Sequence, residues 1–257
     1  MNTNSNTYTV IYTTIVVVFV AAVLAFVSQK LGPMQAANEK AETVSQILTA
    51  ARFGEQDYWK EQGNAAVLDF YKENIETSCL FNLSGEQVGV LDKDNAQVLS
   101  TSDLKAQNYL VKDASAQTAI PVYQFKNGVM VVPVYGAGLW GPVWGYIAVA
   151  SDFKTVVGAY FDHASETPGL GGKIKDDPSF RAQFAGKEID YADAKPFSIM
   201  KGGVPEGKVN AIDAITGATM TSKGLDAAIV EWLNAYKETI TKGQAATAVL
   251  DSINMEE

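Results

Sequence analysis

Four hydroxyl side chains crowd into seven positions just before the last long amphipathic segment of the chain. They belong to Thr216, Thr219, Thr221 and Ser222, with Gly217 and Ala218 among them. One such hydroxyl is enough to accept a hydrogen bond from a free backbone N–H and cap a helix. A helix N-terminus lined by hydroxyls and small residues also suits a phosphate group. The dipole contributes only ~0.3–1 kcal/mol at an exposed site, so a tightly held phosphate needs further contacts or a covalent bond.

Two glycine-rich segments resemble nucleotide-binding motifs and fail on context. Gly136–Gly141 matches G-x-G-x-x-G, a motif that requires a helix immediately after it to receive the pyrophosphate. The residues that follow predict another strand, so we reject a nicotinamide site here. Gly169–Lys173 has the glycines of a phosphate loop, but Ile174 stands where a magnesium-binding Ser or Thr belongs, and Thr167 takes the place of the upstream glycine. No nucleotide triphosphatase is predicted.

The composition excludes several other classes of function. The 257 residues carry a net charge of −9 with no basic block, which argues against nucleic acid as a partner. Cys79 is the only cysteine, so no internal disulfide or Cys-rich metal site can form, and we expect a packed core thiol. His163 is the only histidine, which disfavours zinc and His-based nucleophilic catalysis. We expect it to be structural.

The N-terminus predicts a membrane anchor. Residues 1–29 contain no charged side chain, and Tyr8–Val27 is mostly apolar. A helix of that length matches a hydrocarbon core of ~30 Å. A cleaved signal peptide would have a basic leader and a shorter apolar region, so an uncleaved anchor is favoured. Lys30 alone leaves the orientation of the following domain open.

The elements behind this anchor predict an α+β fold, with one mixed, largely antiparallel α/β domain over residues 33–257 after an anchor over residues 1–32. Periodicity predicts helices at Met34–Phe53, Asn64–Ile75 and Lys223–Thr241, the last ended by Gly243. β-branched and aromatic runs predict six strands, at Thr77–Leu83, Gln87–Leu91, Ala119–Lys126, Val129–Tyr135, Val143–Ala150 and Thr155–Phe161. Asn127-Gly128 is a hairpin signal.

Asp213-x-x-Thr216-Gly217-Ala218-Thr219-x-Thr221 resembles the flavinylation motif of the FMN-binding domain family. The family often has serine where this chain has Thr216, a change that keeps the hydroxyl. Gly136–Trp140 and Glu166–Gly171 resemble two further segments of that family, in the same order along the chain. The single anchor and the chain length make the layout most similar to the flavin subunits of sodium-pumping NADH:quinone oxidoreductases.

This resemblance implies a site for covalent FMN. A flavin transferase would esterify Thr221 with the phosphate of FMN, while Thr219, Ser222 and the backbone N–H groups after Gly217 hold phosphate oxygens. Leu139 and Leu170 would form apolar walls for the isoalloxazine, Thr167 would hydrogen-bond the ring, and Glu166 would tune its potential. Trp140 would either cover the flavin or belong to the core. The expected cofactor-binding residues are Thr221, Thr216, Gly217, Ala218, Thr219, Ser222, Glu166, Thr167, Leu170, Gly138, Leu139 and Trp140.

The resemblance also implies a role and a location. The chain would relay electrons through FMN between other subunits of a membrane NADH:quinone oxidoreductase, as a single-pass protein of the cytoplasmic (inner) membrane with its domain on the periplasmic side. Its implied partners are those subunits, the flavin transferase and the membrane. The equivalent subunit of an Rnf-type complex is one alternative. A membrane-tethered interaction module, whose Thr-rich turn only caps a helix, is another.

Overall fold

A long N-terminal helix carries the predicted anchor into the globular domain without a break. The computed structural model describes residues 6–254, with side chains described from residue 6 to residue 243. Helix α1 spans Asn6–Ala50 with Pro33 inside it, and it is long and apolar enough to cross a membrane by length and composition. Its buried residues begin at Ala41. The predicted boundary between residues 32 and 33 therefore lies within one helix, and α1 enters the domain core about two turns later.

Six antiparallel strands form the main sheet, as the runs of β-branched residues predicted. They are β1 (Ile75–Phe81), β2 (Gln87–Val90), β3 (Ile120–Phe125), β4 (Met130–Ala137), β5 (Pro142–Val149) and β6 (Val156–His163). Their order is β2-β1-β3-β4-β5-β6, and each pair of neighbours is antiparallel. The turn at Asn127-Gly128 joins β3 to β4, with Gly128 at a φ of 82°. The α+β class and all six predicted strands are confirmed.

Three longer helices besides α1 pack on the domain. Helix α2 spans Gln56–Asn74 and is interrupted at Gly63, whose φ is 79°. Helix α3 spans Thr101–Lys112 and begins with a capping box between Ser100 and Asp103. The last helix, α6, spans Thr219–Asn254. The prediction that Gly243 ends this helix was wrong, because a glycine inside a helix costs only about 1 kcal/mol and does not break it.

Buried aromatic residues of α6 fasten it to the rest of the domain. The indole of Trp232 donates to the amide oxygen of Asn108 on α3 at 3.0 Å, and the hydroxyl of Tyr236 donates to the carbonyl of Pro121 on β3 at 2.8 Å. Both aromatic side chains are fully buried. These paired polar groups fix the rotation of α6, and therefore the direction in which the residues of its first turn point.

Short elements complete the fold around the start of α6. Helices α4 (Lys173–Asp176) and α5 (Pro178–Ala182) follow β6, and the parallel pair β7 (Ser198–Met200) and β8 (Ala211–Asp213) precedes α6. The hydroxyl-rich cluster therefore occupies the turn from β8 into α6. Cys79 is half-buried on β1, with its sulfur 3.2 Å from the hydroxyl of Thr77. The expectation of a packed core thiol was therefore wrong.

Two glycines, Gly136 and Gly224, let α6 approach β4 closely. A Cβ added at Gly136 would lie 2.6 Å from the Cβ of Ala228, and one added at Gly224 would collide with the carbonyl oxygen of Ala137. Glycine at these two positions allows backbone to approach backbone where a side chain would intervene. The start of α6 is thereby held against the end of β4, where the Gly136–Gly141 segment begins.

Candidate functional site

The hydroxyl of Thr221 meets a carboxylate from a distant part of the chain. Thr221 lies in the first turn of α6 and is only 1% exposed, and Glu166, in the loop after β6, is 4% exposed. The Thr221 Oγ1 donates a hydrogen bond to Glu166 Oε2 at 2.6 Å. Thr221 does not cap α6, because its side chain is turned toward this carboxylate. Helix capping therefore does not account for Thr221.

Two loops hold Glu166 in place. Its Oε1 accepts the backbone N–H of Trp140 at 2.9 Å, and its own backbone N–H donates to His163 Nδ1 at 3.1 Å. The hydroxyl of Ser165 donates to the carbonyl of Trp140 at 2.8 Å. These bonds fasten the turn between β4 and β5 to the loop after β6. They also give His163 the structural role expected of it.

Glycines line the contact on both sides. A Cβ added at Gly171 would collide with Glu166 Oε2 and lie 2.5 Å from Thr221 Oγ1, while one added at Gly138 would collide with Glu166 Oε1. At Gly217, with a φ of +84°, an added Cβ would lie 3.1 Å from the side chain of Leu170. Gly138 and Gly171 thus leave the space that the Glu166 carboxylate and the Thr221 hydroxyl occupy, and Gly217 lies beside Leu170.

Exposed apolar side chains directly follow or precede these site residues in the sequence. They belong to Leu139, Trp140, Leu170 and Met220, which are 46–66% exposed. Such a group of large apolar residues beside buried polar groups is typical of a binding site for a flat, partly apolar ligand. Trp140 is the most exposed of the four at 66%, so it does not belong to the core. Met220 had no role in the sequence prediction, although its position between two predicted threonines was a signal.

The remaining predicted site residues divide into two groups. Ala218 and Ser222 are buried, and the hydroxyl of Ser222 accepts the backbone N–H of Ile215 at 3.2 Å, which closes the turn before α6. Thr219 is half-buried, whereas Thr216, Gly217 and Thr167 are exposed at the same rim. Asp213 also fixes a turn, because its Oδ1 accepts the N–H of Val204 at 2.8 Å.

The sequence did not predict a buried polar cluster behind the site. Asp162, the residue before His163, accepts hydrogen bonds at Oδ2 from Gln46 on α1 at 3.0 Å and from Lys175 at 2.8 Å. Asp162 and Gln46 are each 3% exposed. Because Gln46 and Asp162 are 116 positions apart in sequence, no local pattern predicts their contact. The cluster joins the anchor helix to the strand that leads into the Glu166 loop.

The part of the chain that contains the predicted site residues matches a known protein family. Residues 138–234 match the family model described as the FMN-binding domain, a range that begins at Gly138 and includes Glu166 and Thr221. The C subunit of the Na(+)-translocating NADH-quinone reductase of Vibrio vulnificus (strain YJ016) is 35% identical over 172 residues, 66% of this chain and 60% of that protein. The corresponding subunit of Haemophilus ducreyi is 30% identical over 67% of this chain and 64% of its own length. The matched segments therefore span about three fifths of these relatives.

A solved structure covers more of the chain. The crystal structure of the C subunit of Na(+)-translocating NADH-quinone reductase from Parabacteroides distasonis has a TM-score of 0.66 and 31% identity, over 82% of this chain and 97% of that one. NqrC of Shewanella oneidensis has a TM-score of 0.62 and 26% identity, over 81% and 99% of the two chains. Both similarities extend over nearly the whole of the compared structures.

Proposed function

Because the chain belongs to the family of the C subunits of Na(+)-translocating NADH-quinone reductases, we propose that it is an electron-carrying flavin subunit of such a complex. Its FMN is attached by a phosphoester to Thr221. One observation carries the proposal: Thr221, Glu166 and the Gly138–Trp140 turn, from three separate segments, meet within hydrogen-bond distance, with glycines packed against them. An interaction module with a Thr-rich cap would not need that convergence.

The residues present fit the phosphate end of FMN. Thr221 supplies the oxygen of the ester, and it lies in the first turn of α6, where the N–H groups have no partner within the helix. Negative charge is favoured there. Gly171 carries no Cβ, so no side chain crowds the ester oxygen from that side; a Cβ there would lie 2.5 Å from Thr221 Oγ1. Thr219 and Thr216 are at the rim, within the same turn, as further hydroxyl donors.

The apolar rim fits the ring end of the cofactor. When bound, FMN supplies the redox chemistry, and the protein contributes binding, orientation and electrostatics. Leu139, Leu170, Met220 and Trp140 present exposed apolar surface beside Thr221, and burying them against a planar ring removes that surface from water. Thr167 is exposed at the same rim and offers a hydroxyl to a ring edge. Glu166, which accepts the Thr221 hydroxyl in the unmodified chain, would contribute to the electrostatics that set the potential of a bound flavin.

The proposal includes a location and partners. Helix α1 anchors the chain by a single pass in the cytoplasmic membrane, and the domain lies on the periplasmic side. A flavin transferase loads FMN during maturation, and the other subunits of the complex donate and accept its electrons. The relatives named above support the sodium-translocating complex over an Rnf-type complex.

Mass spectrometry tests the proposal. The full chain is co-expressed with its flavin transferase, digested, and searched for the mass of an FMN phosphoester on the peptide that contains Thr221. Thr221→Ala should abolish the increment and the in-gel flavin fluorescence, and Thr241→Ala, at an exposed threonine farther along the same helix, should retain both. An unmodified Thr221 in the wild-type chain, or flavin retained by Thr221→Ala, would refute the proposed attachment.

A further inference from the structure

The hydrogen bond between Thr221 and Glu166 can exist only before flavin is attached. A threonine esterified at Oγ1 has no hydroxyl hydrogen to donate. The carboxylate nevertheless stands 2.6 Å from that oxygen in the unmodified chain, and both groups are almost fully buried. Binding of finished FMN therefore does not explain why an acceptor is placed on this atom. The contact prepares the hydroxyl itself.

The surroundings keep Glu166 in the role of acceptor. Its Oε1 already accepts the N–H of Trp140, so Oε2 is left for the Thr221 hydroxyl. The bond from the Glu166 backbone N–H to His163 Nδ1 fixes the start of the loop. Gly171 lies against the pair so closely that any Cβ there would push the two groups apart. The carboxylate is thus positioned from three sides.

From this geometry we propose that Glu166 is the catalytic base for flavin attachment, accepting the proton of Thr221 Oγ1 as that oxygen attacks phosphorus. The inference rests on the proposed function. A hydroxyl is a weak nucleophile unless an adjacent base within about 2.6–3.2 Å removes its proton, and Glu166 Oε2 meets that requirement. The flavin transferase supplies the donor and Glu166, on the acceptor chain, supplies the base.

The step is balanced with a flavin dinucleotide as donor. The Thr221 Oγ1 forms a bond to the flavin-side phosphorus of the pyrophosphate, and the bond from that phosphorus to the bridging oxygen breaks. A nucleoside monophosphate leaves with the electron pair of that bond. The hydroxyl proton passes to Glu166 Oε2. No atom is oxidised or reduced.

The same proton explains how the product is tolerated. A phosphodiester at Thr221 carries a negative charge close to the Glu166 carboxyl, and two negative charges at such a distance repel. Once Glu166 has taken the proton it is neutral and can donate a hydrogen bond to a phosphate oxygen. Because Thr221 and Glu166 are almost fully buried, the donor reaches them only if the exposed Thr167–Leu170 segment moves aside.

The test is steady-state flavinylation of the full chain in detergent, with purified flavin transferase and flavin adenine dinucleotide. Covalent flavin is read by in-gel fluorescence and by mass, over a range of acceptor-chain concentrations. Glu166→Gln should lower kcat by ~100-fold or more, the usual contribution of a general base, with KM for the chain within about threefold of wild type. Glu61→Gln, which makes the same change of charge at an exposed residue of α2, should behave as wild type.

Two further variants separate a base from a structural support. Glu166→Asp keeps a carboxylate and should recover part of the rate lost in Glu166→Gln. Gly171→Ala keeps Glu166 but forces its carboxylate away from Thr221, so its kcat should also fall. Circular dichroism checks that each variant is folded. If Glu166→Gln does not fold, the flavinylation rates of Gly171→Ala and Glu166→Asp decide whether Glu166 acts as the base.

The outcomes distinguish the two proposals. Wild-type kcat in Glu166→Gln, a loss confined to KM, or equal rates for the Asp and Gln variants would overturn the role of Glu166 while leaving flavin attachment intact. If the wild-type chain itself takes no flavin at Thr221, the proposed function fails first, and the inference that rests on it fails too.

Discussion

The contact between Gly136 of β4 and Ala228 of α6 sets how closely the helix bearing Thr221 approaches the sheet. Adding a methyl group by Gly136→Ala would place two Cβ atoms 2.6 Å apart, about 1 Å closer than ordinary contact. Overpacking of this kind costs about 1–3 kcal/mol, while replacing glycine lowers the entropy of the unfolded chain and returns ~0.4–1 kcal/mol. We expect Gly136→Ala to lower the free energy of unfolding by about 1–2 kcal/mol.

The opposite change at the partner residue should repair the damage. Ala228→Gly alone should cost roughly 1.5–2 kcal/mol, from helix propensity and one lost buried methyl group. In the double variant, the next atom facing the new Cβ at residue 136 is the Ala228 Cα at 3.4 Å, an ordinary distance. The double variant moves the methyl group from residue 228 to residue 136, so the destabilisations of the two single variants should not add. We expect a favourable coupling of about 1–2 kcal/mol between the two changes.

The assay is thermal unfolding of the full chain in detergent for the four members of the cycle, together with flavin loading at Thr221. Each kcal/mol corresponds to about 2–4 °C in Tm for a domain of this size. Loading should fall in Gly136→Ala, since the start of α6 shifts, and recover in the double variant. Gly89→Ala, on the edge strand β2 beside the flexible Leu80 side chain, is the matched control and should be nearly neutral. Additive losses in the cycle would refute the steric argument.

Three more predictions concern the core, the anchor and the rim. Burial raises the pKa of Tyr71 to about 12, against 10.0 when unfolded. Its contribution of up to about 3 kcal/mol is present below pH 10 and is lost as the pH rises through 12. Tyr71→Phe should therefore flatten the pH dependence of the free energy of unfolding between about pH 9 and 12. Gln46→Leu removes a donor to the buried Asp162 carboxylate and should lower the free energy of unfolding by about 1–3 kcal/mol, measured by thermal denaturation. Leu170→Ser should leave flavin attached at Thr221 but increase its quenching by iodide, because one apolar wall is lost.

The changes at Gln46 and Leu170 each have a control. Gln62→Leu alters an exposed glutamine of α2, and Val209→Ser alters an exposed apolar residue outside the flavin rim; both should have little effect. An alkaline transition that is unchanged in Tyr71→Phe would mean that other buried tyrosines dominate it. Equal stability of Gln46→Leu and wild type would show that Lys175 and the backbone N–H of His163 satisfy Asp162 without Gln46. Unchanged quenching in Leu170→Ser would place the ring elsewhere.

The strands were predictable because their signal is local. Alternating β-branched and aromatic residues, bounded by turn residues, marked all six strands of the main sheet to within about two residues. Helix α3 has only two buried residues, so its periodicity is weak, yet the Ser100 and Asp103 capping box was a usable signal. The first half of α2 was missed because Gly63 separates it from the clearer second half.

The sequence could nominate candidate site residues but not the contacts between them. The hydroxyl cluster, the resemblance of three segments and the glycines indicated which residues matter. Nothing in the sequence indicated that Thr221 would touch Glu166, 55 positions away, or that Gln46 would reach Asp162, 116 positions away. Those pairings depend on how the end of β6, the start of α6 and the last turns of α1 meet in three dimensions, which local propensity does not determine.

Helix α1 is continuous from the apolar stretch into the domain, so it sets the distance between the two as well as joining them. With the apolar stretch in a membrane as proposed, α1 rises about 20 Å between Val27 and Ala41, at ~1.5 Å per residue, before the domain begins. A typical tilt of ~20° moves the base of the domain sideways by about 7 Å without unfolding anything. Pro33 has no N–H to donate to the carbonyl of Gln29, so α1 bends most easily at this residue. In the proposed arrangement, the length of α1 between Val27 and Ala41 would set how far the Thr221 site lies from the membrane.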